Sequence, residues 1–415
     1  MASIVELKII NEPLKLISDL KNFKPSTVNS QYLDKLGVKA KPSLQTLARL
    51  ECGSQILKDR LANGTLLPRS RVMTRHEDLN TPLEVHNYTG ACPTLTFEIN
   101  PVIGCHVGCQ YCLVTDGSHE PEMVLLENYA SVVANALEQH HNRRHFFYFS
   151  PKTEAFQEPT LQTGVAHDIL RVFIEHFKVH PRSKARLFIA SKAGAGQLLY
   201  RHKGESILDL FEQLKGRMQF NTSLSIMPDE LRQLLEPWAA SIDDRLAAVK
   251  LCSKQGVLSN SALVQPIILP SLTHKNTEGF FAALKDAGIV NFKPEFLTVN
   301  MENLSMIGQL LGYHDKEMER QLYDAYISLQ NEDHKKQRDR TAPSRKQSIA
   351  ALRKLVAVAA RYQISTSICY WLRKELELDE AFIPVINHKG FQCLGYQTRL
   401  FEDPIEEINS LLKQE

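Results

Sequence analysis

Between residues 95 and 300 two kinds of apolar pattern alternate. Short runs, alternating or continuous, occur at Leu95-Thr96-Phe97-Glu98-Ile99, His145-Phe146-Phe147-Tyr148-Phe149-Ser150, Arg186-Leu187-Phe188-Ile189-Ala190-Ser191, 218–225, 261–268 and 290–298. Between them lie longer stretches whose apolar positions recur every three or four residues, at 125–139, 163–176, 206–214, 228–235, 242–255 and 276–287. The first pattern predicts strands and the second amphipathic helices. Strands that are each followed by a helix predict a parallel sheet with right-handed crossovers, curled into a barrel or an open partial barrel. The expected fold class is α/β, a partial (β/α)6 TIM-type barrel.

The flanks read differently. Leu14, Leu16, Ile17 and Leu20, then Tyr32, Leu33 and Leu36, then Leu44, Leu47, Leu50 and Ile56 recur at helical spacing, before Gly64 and Pro68 interrupt and residues 69–92 turn polar. After Asn300 helices are expected over 301–330 and 347–362, with the charged segment NEDHKKQRDRTAPSRKQ between them and a strand at 364–371. The organisation predicted is a helical N-terminal extension (1–92), the β/α barrel (93–300) and a mixed C-terminal region (301–415) covering it.

Composition narrows the class only modestly. A chain of 415 residues that is 43% hydrophobic and 23% charged suits globular material, and no run of about eighteen apolar residues predicts a membrane span. Net charge is +2, from 49 basic and 47 acidic residues, which supplies no bulk attraction to nucleic acid. The basic clusters PRSRVMTR and HHNRRH are explained at least as well by a solvated surface. The first residues lack a signal peptide's unbroken apolar core, so a cytoplasmic location is the default. The eight cysteines are scattered apart from one triplet, which is not a disulfide framework.

That triplet is Cys105, Cys109 and Cys112, spaced C-x3-C-x2-C on a loop that directly follows the first predicted strand. Three thiolates on one short loop suggest a metal. Structural zinc wants four ligands, no fourth cysteine lies nearby, and His106 adjoins Cys105 too closely to share the face easily. An iron-sulfur cubane held by three thiolates keeps one iron open for another ligand. Gly104 and Gly108 allow the loop to bend around such a cluster. A zinc-bound or metal-free loop on a non-catalytic binding module is the alternative from another class.

Loops at the carboxyl ends of parallel strands converge on one mouth, so the other strand ends form a set with the cysteines. They are Ser150-Pro151-Lys152-Thr153-Glu154, Ser191-Lys192, Ser223-Leu224-Ser225, Gln265-Pro266 and Asn300. Each is a polar group ending an apolar strand, as a polar cofactor would need, although polar residues also cap strands elsewhere.

The C-x3-C-x2-C loop with Tyr111 before its last cysteine resembles the radical SAM superfamily. The resemblance implies a 4Fe-4S cluster on Cys105, Cys109 and Cys112 whose open iron binds S-adenosylmethionine (SAM). It also implies reductive cleavage to a 5'-deoxyadenosyl radical that abstracts a hydrogen atom, with the electron from a reductant such as flavodoxin or ferredoxin. Residues 221–268, with Glu236-Pro237, Arg245-Leu246 and Pro266-Ile267-Ile268, are similar to the spore photoproduct lyase and DNA-photolyase-like branch. By that likeness Ser225 and Lys192 stand where the SAM carboxylate and ribose are contacted, and Ser150 with Glu154 where the amine is. Tyr111 and Gln265 complete the expected cofactor set.

The chain departs from that branch where the lyase returns a hydrogen atom. The lyase's second-strand cysteine is replaced by Phe147-Tyr148-Phe149, and its tyrosine after the third cluster cysteine by Leu113. DNA repair is therefore not carried over. A small-molecule, nucleoside or peptide substrate is favoured, the runner-up being a nucleic-acid lesion-repair or base-modifying lyase, with Tyr148 and Cys369 as candidate radical-relay or substrate-contact residues. Cys393 is a second candidate donor in the tail, while Cys52, Cys92 and Cys252 read as ordinary packing residues.

Overall fold

The computed structural model describes residues 3–6, 20–62, 71–86, 96–112, 123–140, 145–273, 276–327, 341–369, 372 and 376–378. Expectations for Cys92, Leu113, Cys393, the segment 328–340 and the tail beyond 378 lie outside them.

The alternation read from the chain is present as parallel strands in sequential order. They are β1 (Thr96–Ile99), β2 (Phe146–Phe149), β3 (Arg186–Ser191), β4 (Met218–Ser223), β5 (Ser261–Ile267), β6 (Asn291–Phe296) and β7 (Ser365–Thr366). Each pairs in parallel with the next, and Glu84–His86 adds an antiparallel edge beside β1. The period-two alternation separates two faces. Phe97, Ile99, Phe147, Phe149, Leu187, Ile189, Met218 and Phe220 join one core with Val133, Phe173 and Phe211. Those three come from helices α3 (Tyr129–His140), α4 (Val165–Val179) and α5 (Ile207–Gln213). The opposite face carries a small cluster of Phe146, Phe188 and Leu263, with Tyr148 and Ala190 packed against it.

The N-terminal helices are not a separate body. Helices α1 (Ser30–Leu36) and α2 (Leu44–Ala62) bury Leu33, Leu50 and Leu57 in a second core. Many of its other members come from β5, β6, α8 (Thr277–Asp286), α9 (Met301–His314), α10 (Lys316–Ile327) and α11 (Arg345–Arg361), and Tyr111 also belongs to it. A β-carbon at Gly53 would meet the Glu302 carbonyl oxygen at 2.1 Å, so α2 and α9 approach backbone to backbone. Arg49 donates both arms of its guanidinium to Glu302, at 2.7 and 2.9 Å. Ser54, Ser305 and Gln309 hydrogen-bond across the same buried seam.

Three expectations need correction. Val124–Leu126 is a strand, so the helix expected from 125 begins only at Tyr129. Arg71–Arg75 and Glu84–His86 are strands inside the region read as turns. Ser3–Glu6, within the stretch read as helical, is also a strand. Ser3–Glu6, Arg71–Arg75, Val124–Leu126 and Val102–Ile103 form a second, four-stranded sheet. Its last strand is the stem from which the cysteine loop springs.

Candidate functional site

The cysteine loop leaves β1 through Asn100 and Pro101, passes the short strand Val102–Ile103 and turns at Gly104 and Gly108. Both glycines have positive φ, 84° and 66°, which side chains resist and glycine accepts freely. The loop then docks on the segment after helix α6 (Asp229–Leu235): Gln110 N–H donates to Leu235 O at 2.8 Å, and Trp238 N–H donates to Val107 O at 3.2 Å. The His106 backbone N–H donates to Gln157 Oε1, and its buried ring pairs with Glu158. At the end of α2, Arg60 reaches the loop through Gln110 Oε1. The loop is thus held on three sides while its cysteines stay partly accessible.

Burial pushes the Cys105 thiol up to about 12, assisted by the negative fields of Cys112 and Glu154. Burial raises Cys109 as well, against the pull of Lys192. Free thiolates are therefore disfavoured here, and a bound cation would reverse that balance. Thiolates are soft donors suited to iron-sulfur clusters, zinc or copper(I). Among the described residues, the groups of three or more metal-ligating side chains whose donor atoms all lie within 4.8 Å of one another do not include the three cysteines. Their sulfurs sense one another electrostatically but are not gathered within 4.8 Å of one another.

Behind the loop lies a buried charge network that the strand-end reading missed. Glu236 is paired with Arg245, at 1% and 0% side-chain exposure, and accepts a hydrogen bond from the Tyr111 hydroxyl. Lys192 Nζ lies 4.0 Å from Glu236 Oε1. Arg245 also donates to Ala240 O and Ser223 O, which ties the network to the end of β4. Burial opposes ionisation of Glu236, but Arg245 and Lys192 outweigh it and hold its carboxyl below the usual range. Burial likewise works against the Lys192 charge, yet Cys109 and Glu236 raise it. Glu236 and Arg245 stood in the sequence as matching dipeptides; their role depends on a contact across 125 residues that spacing does not reveal.

The expected cofactor residues sort into two groups. Glu154 accepts from Ser191 Oγ, from the Phe156 N–H at 3.1 Å and from the Lys192 N–H at 2.7 Å, so it positions the end of β3. Tyr111 is similarly committed, to Glu236. Ser150, Ser225 and Gln265 form the other group. Each holds a buried side-chain atom, Oγ, Oγ and Nε2, without a hydrogen-bond partner. Ser150 also has φ 54°, a left-handed backbone uncommon outside glycine, and this turns the chain sharply where β2 ends. Orphaned buried polar atoms are costly and are ordinarily satisfied by protein, water or ligand. Asn100, Thr153 and Gln157 add further orphaned atoms along the same rim. No protein family and no curated protein matches this chain.

Tyr148 packs on the sheet face opposite the α3–α5 core, its ring edge-on to Phe188 at 4.9 Å. Cys369 follows β7, packed against the second core. Cys109 and Tyr111 of the cysteine loop belong to or pack against that same core. Cys52 is exposed on α2, and Cys252 is buried in helix α7 (Ile242–Lys254). Among the described helices none is long and apolar enough to cross a membrane.

Proposed function

We propose that this protein is a radical SAM enzyme, with a 4Fe-4S cluster on Cys105, Cys109 and Cys112 and SAM at the adjoining strand ends of a partial (β/α)6 barrel. The observation that carries the reading is the coincidence of two deficits at one rim. A thiol trio in which burial disfavours free thiolates at Cys105 and Cys109 stands beside Ser150, Ser225 and Gln265, whose buried polar atoms want partners. When bound, cluster and SAM together would supply reductive cleavage to a carbon radical that abstracts hydrogen from a small-molecule, nucleoside or peptide substrate.

The chain's own residues bind and orient. Lys192, held by Glu154 through its backbone and by Glu236 through charge, offers an ammonium to a carboxylate or ribose. The Ser150 and Ser225 hydroxyls and the Gln265 amide supply neutral donors and acceptors, each pre-set by its strand. Glu154 and Tyr111 act as positioning residues. Phe146, Phe188, Leu263 and Tyr148 line the inner face below the rim, an apolar floor that excludes water from a reacting C–H bond. The one-electron reductant is external, a flavodoxin or ferredoxin type of donor.

Anaerobically reconstituted protein is expected to hold about four irons per chain, and Cys109→Ala to lose them. With SAM and a strong reductant, 5'-deoxyadenosine accumulates in the wild type and not in the variant. Zinc in place of iron that is lost in Cys109→Ala, or nucleoside formation equal in both proteins, overturns the reading. Deuterium passed from a labelled candidate substrate into 5'-deoxyadenosine identifies the hydrogen donor.

A further inference from the structure

At the opposite end of the sheet, the last turns of α3 and α4 bring together Glu138, His176 and His180. Their donor atoms all lie within 4.8 Å of one another. His176 and His180 stand four residues apart, at the end of α4 and just past it, on the same side of the helix. Glu138 Oε1 is 3.3 Å from His176 Nδ1 and 3.1 Å from His180 Nε2. Donor atoms around a tetrahedral zinc, with bonds of about 2.0–2.2 Å, sit about 3.3–3.6 Å apart. The two Glu–His separations, which are hydrogen bonds in this structure, stand close to that range, and the two histidine donors lie within 4.8 Å of each other. The two imidazole rings lie 4.9 Å apart between centroids. The far nitrogen of His176, Nε2, is 3.0 Å from Ser183 Oγ. Arg186 and Arg217 both donate to the Ser183 carbonyl and fix that loop. A second nitrogen anchored in this way is what orients a ligating histidine and sets its tautomer. The C-terminal end of α4 also carries the helix's partial negative charge, which favours a cation.

We propose that Glu138, His176 and His180 form a divalent transition-metal site, selective for zinc-like ions, that clasps α3 to the end of α4. Two imidazoles and one carboxylate are a zinc donor set, and with Glu138 at 57% side-chain exposure a water can take the fourth position. The site stands apart from the cysteine loop, at the other end of the strands, and does not rest on the enzyme reading. On this rim a metal braces the fold where two helices meet.

The test uses the full chain and zinc alone, by equilibrium dialysis against a competing chelator. Wild type and Cys109→Ala are expected to retain one zinc that His180→Ala and Glu138→Gln each bind at least tenfold more weakly. Ser183→Ala should weaken it about tenfold through the tautomer of His176. Cobalt(II) in Cys109→Ala with its remaining thiols alkylated should give a spectrum without thiolate charge transfer, attenuated by adding His180→Ala. Zinc should raise the melting temperature of the wild type and of Cys109→Ala, but not of Glu138→Gln. Uptake equal in wild type, His180→Ala and Glu138→Gln, or no saturable uptake in wild type, overturns the proposal.

Discussion

Where the parallel strands begin, arginines close the loops. Arg186 donates to the carbonyls of Ser183 and Ala185, and Arg217 to those of Pro181 and Ser183, while Arg217 also lies over the Phe177 ring at 5.0 Å. Where the strands end, the protein does the reverse. Asn100, Ser150, Thr153, Gln157, Ser225 and Gln265 keep orphaned buried atoms, beside a charge network sealed from water. Thr96, Ser259 and Asn260 are exceptions on the first rim, scattered rather than gathered round a thiol trio. One rim is built for its own stability and the other gives stability away, as binding sites do.

That contrast can be broken by mutation, and the largest effect belongs to the sealed network. Glu236→Ala leaves the fully buried Arg245 guanidinium without its carboxylate and should cost about 3–5 kcal/mol in urea unfolding. A loss below 1 kcal/mol would mean that the network is solvated and the rims are alike. Next comes the support of α6. Asp229 accepts from Arg232, Gln233 and the Ile242 N–H. Burial alone would raise its carboxyl, but these donors hold it down at about 2. Because the folded value lies below the unfolded one, the stability it confers is full above about pH 4 and is lost as pH falls toward 2. Discounted for solvent screening at a half-exposed carboxylate it amounts to about 1 kcal/mol, and Asp229→Asn should flatten that part of the stability–pH curve.

On the other rim Arg217→Ala removes two hydrogen bonds and an aromatic contact, for about 1–2 kcal/mol by thermal melting, with SAM binding unchanged. The smallest effect has the opposite sign. Ser225→Ala deletes a buried hydroxyl that has no partner, so the ligand-free protein should gain about 1 kcal/mol while calorimetry finds SAM bound about tenfold more weakly. A destabilised Ser225→Ala would show that this hydroxyl serves the fold.

The strands of the sheet and their order were legible because aromatic and β-branched runs such as Phe146–Phe149 and Arg186–Ser191 signal strand without help from neighbours. The strand Val124–Leu126 was not. Its three apolar residues continue the helical spacing of α3, and only pairing with Arg71–Arg75 on one side and Val102–Ile103 on the other decides its state. The same holds for Ser3–Glu6, an edge strand defined by one partner. Strand-end logic put Ser150, Ser225 and Gln265 at one end of the sheet, where the parallel order carries them, because a parallel array fixes where its strand ends point. It found Glu154 without its partners. It gave no role to Glu236, because the turn after α6 that carries it inward is shaped by docking on the cysteine loop, a long-range event with no local mark.

The seam between α2 and α9 bears on how the chain is made. Arg49 and Glu302 are 253 residues apart, so on a ribosome adding about 5–20 residues per second the first helix waits roughly 13–50 s for its partner. During that interval Leu50 and Leu57, which end fully buried, have nothing of their own to cover them. Late closure of this kind favours slow, chaperone-guarded biogenesis, and it makes α2 and α9 poor places to cut the chain.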